Sequence, residues 1–212
     1  MLRVHEIFYS LQGEARSSGR PSVFIRLTGC PLRCHWCDTA YAFSGGQLWS
    51  IEAILEKAAS YSTRWVCVTG GEPLAQPECR PLLCHLLDAG YEVSLETSGA
   101  LAIQGLDPRL SIVMDLKAPD SGEASRNLLT NVAHLKPTDQ IKIVIASRAD
   151  FDWACQQADT LDLFKRVDEV LISPVWQSIA PAELAQWVLD SQRPWRFQLQ
   201  LHKILWNDTP GR

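Results

Sequence analysis

Cys30, Cys34 and Cys37 stand within eight residues of one another, in the run Cys30-Pro31-Leu32-Arg33-Cys34-His35-Trp36-Cys37-Asp38-Thr39. Thiolates this close together form a metal or cluster site, a redox pair or a chance grouping. A closed structural zinc site takes four ligands, often as two C-x2-C pairs set well apart. An ordinary iron–sulfur cluster also takes four thiolates. Three thiolates on one short loop can hold a [4Fe–4S] cube and leave its fourth iron without a protein ligand. An open metal position is what a catalytic centre needs. Pro31 stiffens the loop, and Trp36 is placed to shield a cluster from water. The competing reading is a zinc loop completed by His35 or a distant cysteine.

Thr69-Gly70-Gly71-Glu72-Pro73 is the second feature. Two glycines directly after an apolar run let backbone approach a ligand closely; taken alone, the stretch is also an ordinary turn. Further polar groups close other apolar runs: Glu96-Thr97-Ser98-Gly99, Asp115-Leu116-Lys117 and Ser173-Pro174-Val175-Trp176.

Apolar runs of four to six residues recur and predict the strands that carry these groups: Glu6–Tyr9, Val23–Leu27, Trp65–Thr69, Val93–Glu96, Ile112–Leu116, Ile141–Ile145, Val170–Ser173 and Phe197–Leu201. Helical periodicity lies between several of them. Ser50–Ser60 places Ile51, Ile54, Leu55 and Ala58 on one face behind the N-cap candidate Ser50. Pro81–Ala89 carries four leucines and closes on Gly90. Pro181–Ser191 begins with proline and gathers Leu184, Trp187 and Val188. Strands alternating with helices, and strands apolar along their length, predict βαβ units and a parallel sheet covered on both faces. A complete eight-unit barrel takes about 250 residues, so an incomplete (β/α) barrel of roughly six units is expected. The fold class is therefore α/β, with residues 1–212 as one domain. The polar motifs fall at strand C-terminal ends, where active sites of such barrels lie. They can converge with the cysteine loop, residues 28–39, on one cavity.

Composition bounds the function. With 46% hydrophobic and 21% charged residues, the chain reads as an ordinary globular protein. A net charge of −4 and no arginine-rich arm argue against direct nucleic-acid binding. Met1–Ser10 lacks a signal core and no run approaches a membrane span. Seven cysteines, three of them on one loop, argue for a reduced cytoplasm and ligand chemistry rather than a disulfide framework. Cys67, Cys79, Cys84 and Cys155 read as small buried hydrophobes.

C-x3-C-x2-C together with Gly-Gly-Glu resembles the radical S-adenosylmethionine (SAM) enzymes. In that family the amino and carboxylate groups of SAM chelate the open iron. The reduced cluster splits SAM to a 5′-deoxyadenosyl radical, and the Gly-Gly-Glu turn grips SAM's amino group. Glu72 there either binds the ammonium directly or holds the turn. Glu6-Ile7-Phe8-Tyr9-Ser10-Leu11-Gln12-Gly13-Glu14 and Phe24-Ile25-Arg26-Leu27-Thr28-Gly29-Cys30 resemble the 7-carboxy-7-deazaguanine synthases more narrowly. So do Cys37-Asp38-Thr39, Leu95-Glu96-Thr97-Ser98-Gly99 and Leu201-His202-Lys203, so the resemblance spans nearly the whole chain.

The resemblance implies conversion of 6-carboxy-5,6,7,8-tetrahydropterin to 7-carboxy-7-deazaguanine with loss of ammonia, a carbon–nitrogen lyase step toward queuosine-type tRNA bases. The radical takes hydrogen from C6 and the ring contracts. It also implies Mg²⁺ near the substrate carboxylate, a flavodoxin or ferredoxin-like reductant and a homodimer; eight tryptophans suggest exposed apolar surface for the last.

Site residues follow from the same resemblance. Cys30, Cys34 and Cys37 hold the cluster, and Thr39 supplies the hard oxygen Mg²⁺ prefers. Trp36, Cys37, Asp38, Gly71, Glu72, Asp115, Leu116, Lys117, Ser173 and Pro174 line the SAM site. Gln12, Gly13, Glu14, Arg26, Thr69, Glu96 and His202 line the substrate site. Gln12 and Glu14 offer the amide and carboxylate that an aminopyrimidinone edge needs, and the Arg26 fork matches a carboxylate bidentately. The plain alternatives are a polar turn for Gln12 and Glu14, a sheet-end salt bridge for Arg26, a helix cap for Thr39 and a structural role for His202.

Three departures stand out. Ala15-Arg16 follow Glu14 where many members have glycine. Asp115-Leu116-Lys117 replaces Ser-Pro-Lys. The segment of about 202–212 covers the substrate, and its part from Ile204 to Arg212 runs past the end of some members, which place their terminal carboxylate in that site; Asn207 or Asp208 is the expected substitute. Two other functions compete: a glycyl-radical activase, which has no use for Gln12, Glu14 and Arg26, and a zinc-bound interaction module, which has no use for Gly-Gly-Glu.

Overall fold

The structure is a computed structural model that describes residues 1–207, 209 and 211. Nine strands form one sheet: β1 (Leu2–Leu11), β2 (Pro21–Leu27), β3 (Gln47–Trp49), β4 (Trp65–Gly70), β5 (Glu92–Thr97), β6 (Ser111–Asp115), β7 (Gln140–Ile145), β8 (Glu169–Pro174) and β9 (Trp195–Phe197). Their spatial order is β3-β1-β2-β4-β5-β6-β7-β8-β9, parallel from β2 onward. The sheet stays open between β3 and β9, so the barrel is incomplete as expected. At one edge the parallel expectation does not hold: β1 runs antiparallel to both β2 and β3. The loop Gln12–Arg20 is too short for a crossover, which needs a dozen or more residues.

Helices α1 (Ile51–Ala59), α2 (Cys79–Asp88), α3 (Arg148–Thr160), α4 (Leu163–Arg166), α5 (Pro181–Ser191) and α6 (Leu201–Trp206) complete the chain, with 3-10 turns between β6 and β7. Ser50 caps α1 by accepting from the Ala53 N–H. The outward residues of the strands, among them Ile25, Val68, Leu95, Ile112, Ile141 and Ile172, meet Ile54, Leu82, Leu86, Phe151 and Leu184 of the helices in one core.

Three expectations need correction. The strands are not apolar along their length: inward positions carry Arg26, Thr69, Glu96, Asp115 and Lys142, because the inner face lines a cavity rather than a second helical layer. The run Phe197–Leu201 is not a strand. Its last ladder pair is Ile172 with Phe197, and the Leu201 N–H then bonds to Gly13 O at 3.0 Å, which turns the chain into α6. The eight tryptophans are buried or half-buried. The exposed large apolar side chains are others, such as Leu48, Leu189, Ile204 and Leu205.

Candidate active site

A cavity of about 490 Å³ opens at the C-terminal ends of the parallel strands. Sheet register assembles its polar wall. Glu6 pairs with Arg26, Arg26 with Thr69, and Asp115 with Lys142 in neighbouring strands. Alternate residues of a strand share a face, so one polar row can cross a sheet whose other face is mostly apolar.

The floor comes from the loop after β1. Its Ala15 packs against Val113 and Leu171 on the inner face. The Ala15 N–H donates to Gln198 Oε1 at 2.9 Å and the Arg16 N–H to Gln140 Oε1 at 2.7 Å. Ala15 has φ +63°, so the non-glycine residue keeps the left-handed turn. This aims Gln12 and Glu14 upward. Gln12 Nε2 donates to Glu96 Oε1 at 3.1 Å, and Thr69 Oγ1 donates to Glu96 Oε2 at 3.0 Å. Glu14 Oε2 receives Lys142 Nζ at 2.7 Å and Glu14 Oε1 receives Gln200 Nε2 at 2.7 Å. Lys142 also lies 3.3 Å from Asp115 Oδ1, and Lys117 Nζ lies 2.6 Å from Asp115 Oδ2. Burial alone would push the Asp115 carboxyl up, but Lys117 and Lys142 outweigh it and hold it below its ordinary range. Burial likewise opposes charge on Lys142, yet Asp115, Glu14 and Glu96 raise its pKa well above the ordinary lysine value. Sequence reading missed Lys142. A lysine inside Gln140-Ile141-Lys142-Ile143-Val144-Ile145 was the available signal, because a buried ammonium needs partners.

Cys30, Cys34 and Cys37 all border the cavity and none is in a disulfide. Burial is the leading influence on the Cys30 and Cys34 thiols and pushes both up, so a bound metal must displace their protons. The Leu32 N–H points at Cys30 Sγ at 3.4 Å. His35 turns away into a dock: its Nδ1 lies 2.8 Å from Asp120 O, and its ring fills the space over Gly122. It is thus not the fourth ligand of a zinc loop. Among the described residues, no group of three His, Cys, Asp or Glu side chains is arranged to hold a single metal ion. Three free thiols bordering one cavity fit a cluster held by three protein ligands.

The Gly70-Gly71 turn lies directly against this loop. A Cβ on Gly71 would stand 2.1 Å from Gly29 O and 2.9 Å from Cys30 Cβ. The Glu72 N–H donates to Gly29 O at 2.8 Å. Glu72 itself is fully buried. Its carboxylate accepts from the Leu74 N–H at 2.9 Å, the Ser98 N–H at 2.7 Å, Thr97 Oγ1 at 2.9 Å and the Ser98 hydroxyl. Of the two roles open to it, holding the turn is the one this geometry has.

Arg26 Nε donates to Glu6 Oε1 at 2.7 Å, and the Tyr41 hydroxyl donates to the same oxygen at 2.8 Å. Arg26 borders the cavity beside Phe8 and Phe24, which stack on one another. Thr39 occupies the N-cap position of a 3-10 turn, Ala40–Phe43, yet its hydroxyl makes no cap bond; it stands 3.7 Å from Cys37 Sγ. Asp38 faces Lys203 Nζ at 3.3 Å. Burial would raise its carboxyl, but Lys203 and Lys142 hold it below the ordinary range. His202 sits on α6, not after a strand, and packs so tightly on Gly13 that a Cβ there would meet its Nδ1 at 2.0 Å.

The structure thus gathers Gln12, Gly13, Glu14, Arg26, Trp36, Asp38, Thr39, Thr69, Gly71, Glu96, Asp115, Lys117 and His202 around one cavity with the three cysteines. Glu72, Leu116, Ser173 and Pro174 stand behind its wall, although Val175 and Trp176 reach it. Leu116 shares a small side chamber with Trp36 and Lys142. Asn207 also borders the cavity, whereas Asp208 lies outside the described residues.

Residues 24–117 match the radical SAM superfamily. The 7-carboxy-7-deazaguanine synthase of Chlorobaculum tepidum is 40% identical over 209 residues, covering 97% of this chain and 94% of that one. Its counterpart from Koribacter versatilis is 36% identical over 225 residues, covering 99% and 100%. Among solved structures, QueE from Escherichia coli superposes with a TM-score of 0.77 at 25% identity over 95% of this chain and 94% of that chain. A three-thiol loop beside a Gly-Gly turn, matched along nearly its whole length by these relatives, places this chain in the 7-carboxy-7-deazaguanine synthase family of the radical SAM superfamily.

Proposed function

We propose that this chain converts 6-carboxy-5,6,7,8-tetrahydropterin to 7-carboxy-7-deazaguanine with loss of ammonia. The observation that carries the reading is that one cavity joins the three cysteines to the Gln12/Glu14 floor and to Arg26. A [4Fe–4S] cluster with SAM bound supplies a 5′-deoxyadenosyl radical there. The chain's own residues bind, orient and exclude water. Cys30, Cys34 and Cys37 ligate the cluster. The Gly70–Gly71 backbone would hold the amino group of SAM's methionine part, and Lys117, paired with Asp115, would face its carboxylate. Gln12 and Glu14 hold the aminopyrimidinone edge: the Glu14 carboxylate accepts from its amino and ring N–H donors, and Gln12, bonded to the Glu14 N–H, lines it alongside. Arg26, with Nε committed to Glu6, offers the other side of its fork to the substrate carboxylate.

Thr39 is the protein ligand for Mg²⁺. A single hydroxyl suffices because this ion keeps waters and shares substrate oxygens. The exposed Pro31, Arg33 and His35 of the cluster loop are where a flavodoxin or ferredoxin-like reductant approaches. Residues 1–212 work as one domain, in a homodimer, in the reducing cytoplasm.

Anaerobic turnover tests the reading. The reconstituted protein receives SAM, Mg²⁺, reductant and the carboxytetrahydropterin, and product is read by mass. A deazaguanine carboxylate is the expected result. Cleavage of SAM to 5′-deoxyadenosine without it would overturn the substrate assignment. A colourless protein that leaves SAM intact would overturn the cluster.

A further inference from the structure

Lys142 lies in the middle of β7 with its ammonium against the cavity. An ammonium has three N–H donors. One donates to Glu14 Oε2 at 2.7 Å, and Asp115 Oδ1 faces the ammonium as an ion pair at 3.3 Å, which leaves N–H donors for whatever occupies the cavity that Lys142 lines. Its position relative to Glu14 has a chemical meaning. An aminopyrimidinone edge presents, in order, an amino donor, a ring N–H donor and a carbonyl acceptor. A carboxylate takes the two donors side by side. The carbonyl then stands next to that carboxylate and needs a donor beside it. Lys142 is a donor held beside Glu14 Oε2, and its register partner Asp115 pairs with it across β6 and β7.

We propose that Lys142 is a specificity-determining residue that donates to the ring carbonyl of the heterocycle held by Glu14, so that the pair selects a 4-oxo over a 4-amino pyrimidine. The inference rests on the pterin reading above. A 4-amino group would turn N–H donors toward an ammonium that has no acceptor to offer. Gln200 approaches the other oxygen, Glu14 Oε1, at 2.7 Å, on the amino side that both pyrimidines share, so the competing explanation in the test is Glu14 itself, which takes the N3–H that a 4-amino pyrimidine lacks.

Two oxidised ligands separate the cases in the reconstituted enzyme with SAM and an unreduced cluster, where no turnover occurs: 6-carboxypterin and 2,4-diaminopteridine-6-carboxylate. The wild type is expected to favour the 4-oxo ligand by about tenfold or more, the effect of a charged hydrogen-bond donor. Lys142→Met should cut the preference by about threefold or more, the remainder belonging to Glu14, whose carboxylate takes the N3–H that the 4-amino ligand lacks. Lys142→Gln should do the same, because its amide can donate or accept. Lys142→Arg should retain the preference. If Lys142→Met fails to take up its cluster, Lys142→Gln decides. A wild type without preference overturns the inference, as does a preference that survives undiminished in the Met and Gln variants, which would assign the reading to Glu14 facing N3. In both of those cases binding of 6-carboxypterin leaves the pterin reading standing. If the wild type binds neither ligand, the pterin reading falls and the inference falls with it.

Discussion

Replacing Glu72 separates two roles between which the amino-acid sequence does not choose. Its carboxylate receives two backbone N–H groups, of Leu74 and Ser98, and the hydroxyls of Thr97 and Ser98. In Glu72→Ala the hydroxyls can rotate toward other acceptors, but the two buried amides cannot. Each stranded donor costs about 1–3 kcal/mol, so the loss is roughly 4 kcal/mol. For a domain of this size that is about 8–16 °C in Tm. Glu72→Gln keeps one acceptor oxygen and sets its amide against a single N–H, for a loss of about 1–2 kcal/mol. The Glu72 N–H also bonds to Gly29 O, next to Cys30, so a loosened turn should release the cluster loop. The assay is thermal melting of the reconstituted chain, with iron per chain counted after desalting. Both should fall, with Ala below Gln below wild type. An Ala variant with unchanged Tm and iron content and only a raised KM for SAM would refute the turn-holding role and give Glu72 the ammonium itself.

Three other outcomes follow from the same geometry. Gly71→Ala should lose the cluster, because its Cβ would collide with the carbonyl of Gly29, which cannot move aside as a flexible side chain would; the absorbance of the reconstituted protein near 400 nm reads this. Gly13→Ala should spare the fold and raise the KM for pterin about tenfold or more, since the clash falls on the His202 ring and shifts α6 by an ångström or so; an unchanged KM would refute it. The Asp115–Lys142–Lys117 network has a signed pH dependence. Asp115 is held low, so its contribution is present above about pH 4 and disappears as pH falls through the lowered value. Lys117 and Lys142 are held high, so theirs is present below about pH 10.4 and disappears as pH rises through the raised values. The Tm gap between wild type and Asp115→Asn should therefore stay flat between about pH 6 and 9 and close toward pH 3. A gap that changes steadily across neutrality would show that another group controls it.

The sequence by itself determined the chemistry of the loop and much of the frame. Three cysteines at C-x3-C-x2-C, two glycines after an apolar run, and polar residues closing successive runs are local patterns. Local patterns survive without knowledge of what packs against them. Ser50 and Gly90 likewise announced the ends of α1 and α2, because capping is a matter of a few residues. Lys142 was not legible, although the residue stood in plain view: its partner Glu14 is 128 residues away, and only sheet register with Asp115 and the inward-folded floor loop brings the three together. The same holds for Glu72, whose role depends on Thr97 and Ser98 from the next strand. Leu201 reads as strand by its neighbours and becomes helical because Gly13 captures its N–H. Apolar spacing reports which residues leave water, but not which distant polar group meets each one that remains. That choice belongs to strand order and register, which the folded chain alone supplies.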